Sequence, residues 1–339
     1  MLFDEALKLY DLDLFELGAR ADTIRRAYHQ DKVFYNKNRH INPTNICVDR
    51  CKFCGFSAHR KNPNPYSMNI DEIAKTAAAA WQRGAKEAHI VGAHNKKLGL
   101  DWYFDMFAAV KKAAPNIHLK AMTAAEVDFL ARTYNLSFEE ILDRMIASGV
   151  DSMPGGGAEI FDEALRRKIC GGKVKSADWL RIHELWHKRG RKSNASMLFG
   201  HIETRAHRVD HLLRLRALQE KTGGFNAFIP LLYQTKNNFL EIEKPLDAEE
   251  ILKTIAVSRI VLDNIRHIKA YWVGLTLNLA LAAQEFGADD MDGTIERESI
   301  NSAAGAASKE GVDERFARSL IANAGFLPIE RDSVYNEIG

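Results

Sequence analysis

Cysteine is scarce in this 339-residue chain, with four residues in all, too few to staple a fold of this length by disulfides. Long apolar runs are missing as well: nothing approaches the ~18 residues that a membrane-spanning helix needs. The opening MLFDEALKLYDLDLF is acidic and lacks a basic stretch followed by a continuous apolar one, so it does not read as a secretory leader. These absences predict a cytoplasmic protein without a membrane partner. Nor is there an excess of charge of one sign. Lys and Arg total 47 against 45 Asp and Glu, a formal charge of +2 with no block of either sign, which argues against a nucleic-acid partner. No low-complexity segment or short exact repeat is visible.

What is present is enough to bury a core: 46% hydrophobic and 27% charged residues, near the globular average. The length exceeds a usual single domain but suits a barrel of strand and helix pairs. From about Asp4 to Asn38 the pattern is helical, with Leu14, Leu17, Ile24 and Tyr28 near helical spacing, predicting an N-terminal helical cap over 1–38. Short apolar stretches then alternate with longer amphipathic ones. The apolar stretches are HIVGA near Ile90, HLKAMTA near Ala121, DSMPGGG from Asp151, SNASMLFG from Ser193, FNAFIPLL near Phe228, HIKAYW near Lys269 and ADDMDG near Asp290. Together with a first strand ending near Ile46, they predict an α/β fold, a (β/α)8 TIM-type barrel over 39–310. Helices are expected at Asp71 to Arg83, Asp101 to Ala113, Ser137 to Ser148 and Ala206 to Lys221. Residues 311–339 are expected to form a C-terminal helical extension packed on the barrel. In such barrels the site lies on the loops after the strands.

Three of the cysteines, Cys47, Cys51 and Cys54, follow C-x3-C-x2-C spacing in INPTNICVDRCKFCGFSAHR, on a loop after the expected first strand. Three thiolates on a four-iron cubane leave one iron open to an external ligand. The alternative is a closed zinc site completed by His59, in a scaffold or binding protein. Cys170 lies far along the chain in KIC before GG and reads as a small buried thiol.

The cysteine loop, with Phe53 before its last cysteine, resembles the signature of the radical S-adenosylmethionine (SAM) superfamily. KAMTAAEV (Lys120 to Val127), PGGGAEIF (Pro154 to Phe161), SNASMLFGHIET (Ser193 to Thr204), HIKAYW (His267 to Trp272) and DGTIERESI (Asp292 to Ile300) further resemble the aminofutalosine synthases of menaquinone formation. The likeness runs from about residue 35 to 308. The resemblance implies a [4Fe-4S] cluster on Cys47, Cys51 and Cys54, with SAM chelating the fourth iron and consumed as co-substrate. It implies addition of the 5′-deoxyadenosyl radical to 3-[(1-carboxyvinyl)oxy]benzoate, aryl migration and decarboxylation, giving 6-amino-6-deoxyfutalosine. An electron donor such as flavodoxin or ferredoxin is implied too. A dehypoxanthine futalosine cyclase or a deazaflavin-type synthase, which share loop and barrel, are the alternatives. One departure is GAHN at Gly92 to Asn95, with Ala93 where such relatives often carry a second glycine.

Individual residues follow from these motifs. Tyr66, Gly92, Glu126, Gly155, Gly156 and Ser193 are expected at the SAM side. Glu126 is a candidate for ribose or methionine ammonium, or else a carboxylate at a helix start. Gly155, Gly156 and Gly157 let backbone approach a ligand, or only make a turn. Asn194, His201 and Glu203 are candidates for catalysis, though His201 could instead orient Glu203. Tyr233, Gln234, His267 and Lys269 offer aromatic and polar groups for an aryl carboxylate, whereas Trp272 reads as core.

Overall fold

Strand alternation in this chain builds a barrel with a charged interior. The computed structural model describes residues 1–339 except 60, 243, 295–298, 307–310 and 339. Its strands are β1 Lys32–Asn36, β2 Asn38–Ile41, β3 Glu87–Ile90, β4 His118–Ala121, β5 Ser152–Met153, β6 Lys192–Phe199, β7 Phe225–Leu232, β8 His267–Ile268, β9 Asp290–Gly293 and β10 Leu327–Glu330. β2 to β8 form one sheet in chain order, every pair parallel. Lys37 alone separates β1 from β2, so the two make one bent strand whose first half pairs with β9 and second half with β3. A parallel bridge from Lys269 to Asp290 joins β8 to β9. Counting β1 and β2 as one, the ring closes at eight staves, the barrel that the alternation predicts.

Helices between the staves start where their sequences cap them. Asn69, Thr123 and Ser137 each accept a first-turn amide, and Glu72, Glu126 and Glu140 return the bond, satisfying donors that a helix start leaves orphaned. The helices Ile70–Gln82, Leu100–Ala113, Phe138–Ala147 and Arg205–Thr222 lie within two residues of their expected bounds. Their inward faces carry Ile73, Phe107, Leu142 and Leu215, and Trp179 and Trp186 are buried on the helix Ser176–Lys188. Each such side chain contributes ~1.5–3 kcal/mol by leaving water.

Inside the ring, positions two apart point the same way, and here they are ionic. Glu87 on β3 meets Lys120 on β4 at 2.6 Å, both 2% exposed. Lys269 meets Asp292 at 2.9 Å, and Arg331 meets Asp290 at 2.5 Å. Each charge is paired inside the barrel, because an unpaired one would cost several kcal/mol.

Three expectations need correction. The first strand ends at Ile41, and the chain from Asn42 through the cysteines is loop. The N-terminal helices end at His29, and residues 32–36 already belong to the ring. The tail is not purely helical: after the helix Glu314–Asn323, β10 pairs in parallel with β1. Beyond it, Tyr335 stacks on His267 at 3.6 Å and Arg331 lies over the Tyr335 ring, so the tail seals the end of the barrel where strands begin.

Candidate active site

At the opposite end, where strands finish, the barrel opens into a cavity of about 300 Å³. The cysteine loop forms one wall. It is pinned by Asn45, which accepts from the Tyr66 amide at 2.9 Å and donates to the Asn64 carbonyl at 2.9 Å, and by the Lys52 amide, which donates to the Ile169 carbonyl at 2.8 Å. Cys51 is buried, while Cys47 and Cys54 are half-buried, and all three line the cavity. Burial pushes the Cys51 thiol well up and the Cys47 thiol up, so ionising them calls for a strong positive charge at the sulfurs, as bound iron provides.

Two observations separate a cluster from a single ion. Among the described residues, the ligand sets drawn within 4.8 Å are Cys47, Asp49 and His94, and His29, His267 and Asp289; the three sulfurs are not such a set. The three sulfurs therefore do not close on a single ion such as zinc. His59, the fourth zinc ligand of the alternative, is committed elsewhere: its Nε2 lies 3.0 Å from the Cys54 carbonyl and its Nδ1 accepts from the Lys61 amide. Backbone amides also serve the sulfurs. Ser57 donates to Cys54 Sγ at 3.4 Å, and the amides of His94 and Asp49 act on Cys47; such donors stabilise thiolates bound to iron. The residues present therefore fit a [4Fe-4S] cluster. Cys170 lies in the core, off the cavity wall, its thiol pushed up to about 11 chiefly by burial.

The adjoining wall comes from the turns after β3, β4 and β5. Glu126 is buried, with Oε1 accepting from the Gly92 amide at 3.0 Å and Oε2 from the Thr123 amide and hydroxyl. Burial raises its pKa, opposed by those donors. A helix-capping carboxylate thus also fixes the GAHN turn. A Cβ on Gly155 would sit 2.6 Å from the Ala195 carbonyl carbon, and Gly157 has φ +86, so glycine is required at both. Asn194 is 3% exposed on the cavity wall, and its Oδ1 has no partner among the described residues.

The far wall is apolar, with Leu198, Ile229, Leu231 and Tyr271, and it also carries Tyr233 and Gln234. The Tyr233 hydroxyl donates to Asn238 at 2.8 Å, and Gln234 donates to the carbonyls of Leu232 and Gly274. The floor holds His40, His89 and Asp292. The two imidazoles lie 4.7 Å apart. Burial and then the His40 charge push His89 down to about 3, which keeps it neutral. Asp292 takes φ +69, a left-handed conformation held by its bond from Lys269.

Several expected site residues do not reach the cavity. Ser193 points outward on β6, between His183 and His187 at 2.8 and 2.7 Å, because its neighbour Asn194 takes the inward position. The chain turns at Gly200, with φ +88, and this folds the His201 ring back to the Leu198 carbonyl. Glu203 accepts from the Gly200 and His201 amides and from Arg208, so both brace the turn. Tyr66 hydrogen-bonds the Asn42 carbonyl on the outer side of the loop. His267 belongs to the sealed end, bonded to Asp289 at 2.6 Å. Lys269 lies beneath the floor, bonded to Asp292 at 2.9 Å. Trp272 donates to the Gly293 carbonyl within the core. Residues 295–298 of DGTIERESI lie outside the described residues. His40, His89, Glu159 and Lys173 also line the cavity, and none was singled out from the sequence, although Glu159 sits within PGGGAEIF.

Comparisons agree with this geometry. The Radical SAM superfamily model matches residues 41–215, and the CofH/MqnC C-terminal region model matches 222–338. Aminodeoxyfutalosine synthase of Thermus thermophilus is 38% identical over 343 residues, covering 99% of this chain and 92% of the relative. The 5-amino-6-(D-ribitylamino)uracil–L-tyrosine 4-hydroxyphenyl transferase of Archaeoglobus fulgidus is also 38% identical, covering 95% and 93%. Cyclic dehypoxanthine futalosine synthase of Streptomyces coelicolor is 36% identical, covering 99% and 85%. Among solved structures, methylornithine synthase aligns at TM-score 0.78 with 16% identity, covering 96% of this chain and 94% of that one, which supports the fold alone.

Proposed function

This chain belongs to the radical SAM superfamily, and from that premise we propose that it joins the 5′-deoxyadenosyl group of SAM to 3-[(1-carboxyvinyl)oxy]benzoate, giving 6-amino-6-deoxyfutalosine in the cytoplasm. It is an enzyme that uses a [4Fe-4S] cluster and SAM. When bound on Cys47, Cys51 and Cys54, the cluster supplies the electron that breaks the sulfur to C5′ bond of SAM.

The observation that carries the substrate reading is one cavity with three kinds of wall: cysteines at one side, an apolar face from β6 and β7 opposite, and the imidazoles of His40 and His89 below. Leu198, Ile229 and Leu231 would receive the aryl ring and exclude water from a reactive carbon radical. The amide of Asn194 would bind a ribose hydroxyl or a substrate oxygen, since its Oδ1 is buried without a partner among the described residues. His89 lines the cavity with its Nδ1 3.8 Å from Glu87, and its ring N–H would meet a substrate carboxylate. Glu126 would act by holding Gly92 in place, and the Gly155 to Gly157 turn by letting the co-substrate lie against backbone.

Relatives with three different printed activities stand at similar identity, so the substrate has to be tested directly. Reconstituted protein, reductant and SAM are incubated anaerobically with the carboxyvinyloxy benzoate, with dehypoxanthine futalosine, or with tyrosine plus the ribitylaminouracil, and products are read by mass. Aminodeoxyfutalosine in the first arm alone is the expected result. Turnover in either other arm, with none in the first, moves the enzyme to that branch.

A further inference from the structure

The cluster must be reduced by an electron from outside before it can cleave SAM, and the face next to the cysteine loop has an uneven charge. Two basic runs far apart in sequence, DRCK at 49–52 and RRK at 166–168, are brought together by the bond from the Lys52 amide to the Ile169 carbonyl. Arg50, Lys52, Arg167 and Lys168 are all exposed, and Lys175 continues the face. None of these five forms an ion pair among the described residues, whereas acids nearby are turned inward and engaged. Asp49 lies 2.7 Å from His94, Asp128 2.8 Å from Arg132, and Glu159 2.6 Å from Lys173. In a chain whose formal charge is only +2, this is a local concentration, not a reflection of the whole.

We propose that Arg50, Lys52, Arg167 and Lys168 form the docking face for an acidic one-electron carrier protein. The position suits it. Arg50 and Lys52 flank Cys51, and the exposed Gly171 and Gly172 keep the neighbouring surface low; a Cβ on Gly172 would already approach the Asp49 carboxylate at 3.1 Å. A carrier seated here would rest against the loop that holds the cluster ligands. Unpaired surface cations steer an acidic partner and raise the encounter rate, and they lose that effect as salt screens them. Val48 and Phe239 are exposed beside this face and add limited apolar contact to a charge-led, short-lived complex, as electron exchange requires. The inference rests on superfamily membership and holds whichever aromatic substrate the cavity takes.

The test uses reconstituted protein and oxidised flavodoxin as the acidic probe, with binding followed by calorimetry at low and high salt. Wild-type affinity should weaken steeply with salt, and Arg167→Glu with Lys168→Glu should bind about tenfold more weakly with a flatter salt dependence. In parallel, SAM cleavage driven by reduced flavodoxin should fall in that variant while cleavage driven by dithionite stays at the wild-type rate. Arg50→Glu with Lys52→Glu should reproduce the binding defect, with iron content reporting whether the cysteine loop is intact. Affinity within twofold of wild type in both variants, or equal loss with both reductants, would overturn the assignment.

Discussion

Cys51 is the most enclosed of the three cavity cysteines, and its neighbouring thiol, Cys170, lies off the cavity wall. Cys51→Ala should lose the intact cluster, seen as loss of iron and of visible absorbance after reconstitution, and SAM cleavage should fall to background; a full complement of iron in the variant would refute the ligand set. This triad was legible because its members are close in sequence and their spacing carries chemistry. His40 and His89 were not, since they meet only through β2 and β3 pairing, and neither sits in a motif. His201 and Glu203 were misplaced for a local reason: the residues follow a strand end, where sites gather, but Gly200 reverses the chain and both side chains are spent on the turn. Ser193 and Asn194 show how finely facing depends on register, because a shift by one residue exchanges cavity for helix contact.

Most of the elements were readable from capping residues and from alternation between short apolar and long amphipathic stretches. What escaped was β1, five residues following the helix that ends at His29, and β10, whose partner β1 lies at the other end of the chain. Tertiary pairing, not local pattern, decides such short strands. The tail they form makes a specific demand. Arg331 is fully buried on Asp290 and lies 3.8 Å from Asp292, so Arg331→Met would strand carboxylates inside the barrel. A loss of about 3–5 kcal/mol in anaerobic denaturant unfolding is expected; a change below about 0.5 kcal/mol, the scale of an ordinary surface substitution, would show that the tail does not hold the closed end.

At the scale of the whole molecule, the barrel separates two tasks. One end is closed by the tail and an ionic interior, and the other holds a cavity where cluster, co-substrate and substrate would meet away from bulk water. Enclosure matters because the radical must reach its intended carbon before any other hydrogen donor. Addition and hydrogen abstraction leave different traces of the adenosyl group, and this gives the most direct test. The measurement is an anaerobic reaction with the carboxyvinyloxy benzoate and SAM labelled with carbon-13 throughout its adenosyl group, followed by mass spectrometry. Label appearing in aminodeoxyfutalosine, in proportion to SAM consumed, is the result expected; label confined to free 5′-deoxyadenosine would contradict addition and leave a radical enzyme of another specificity.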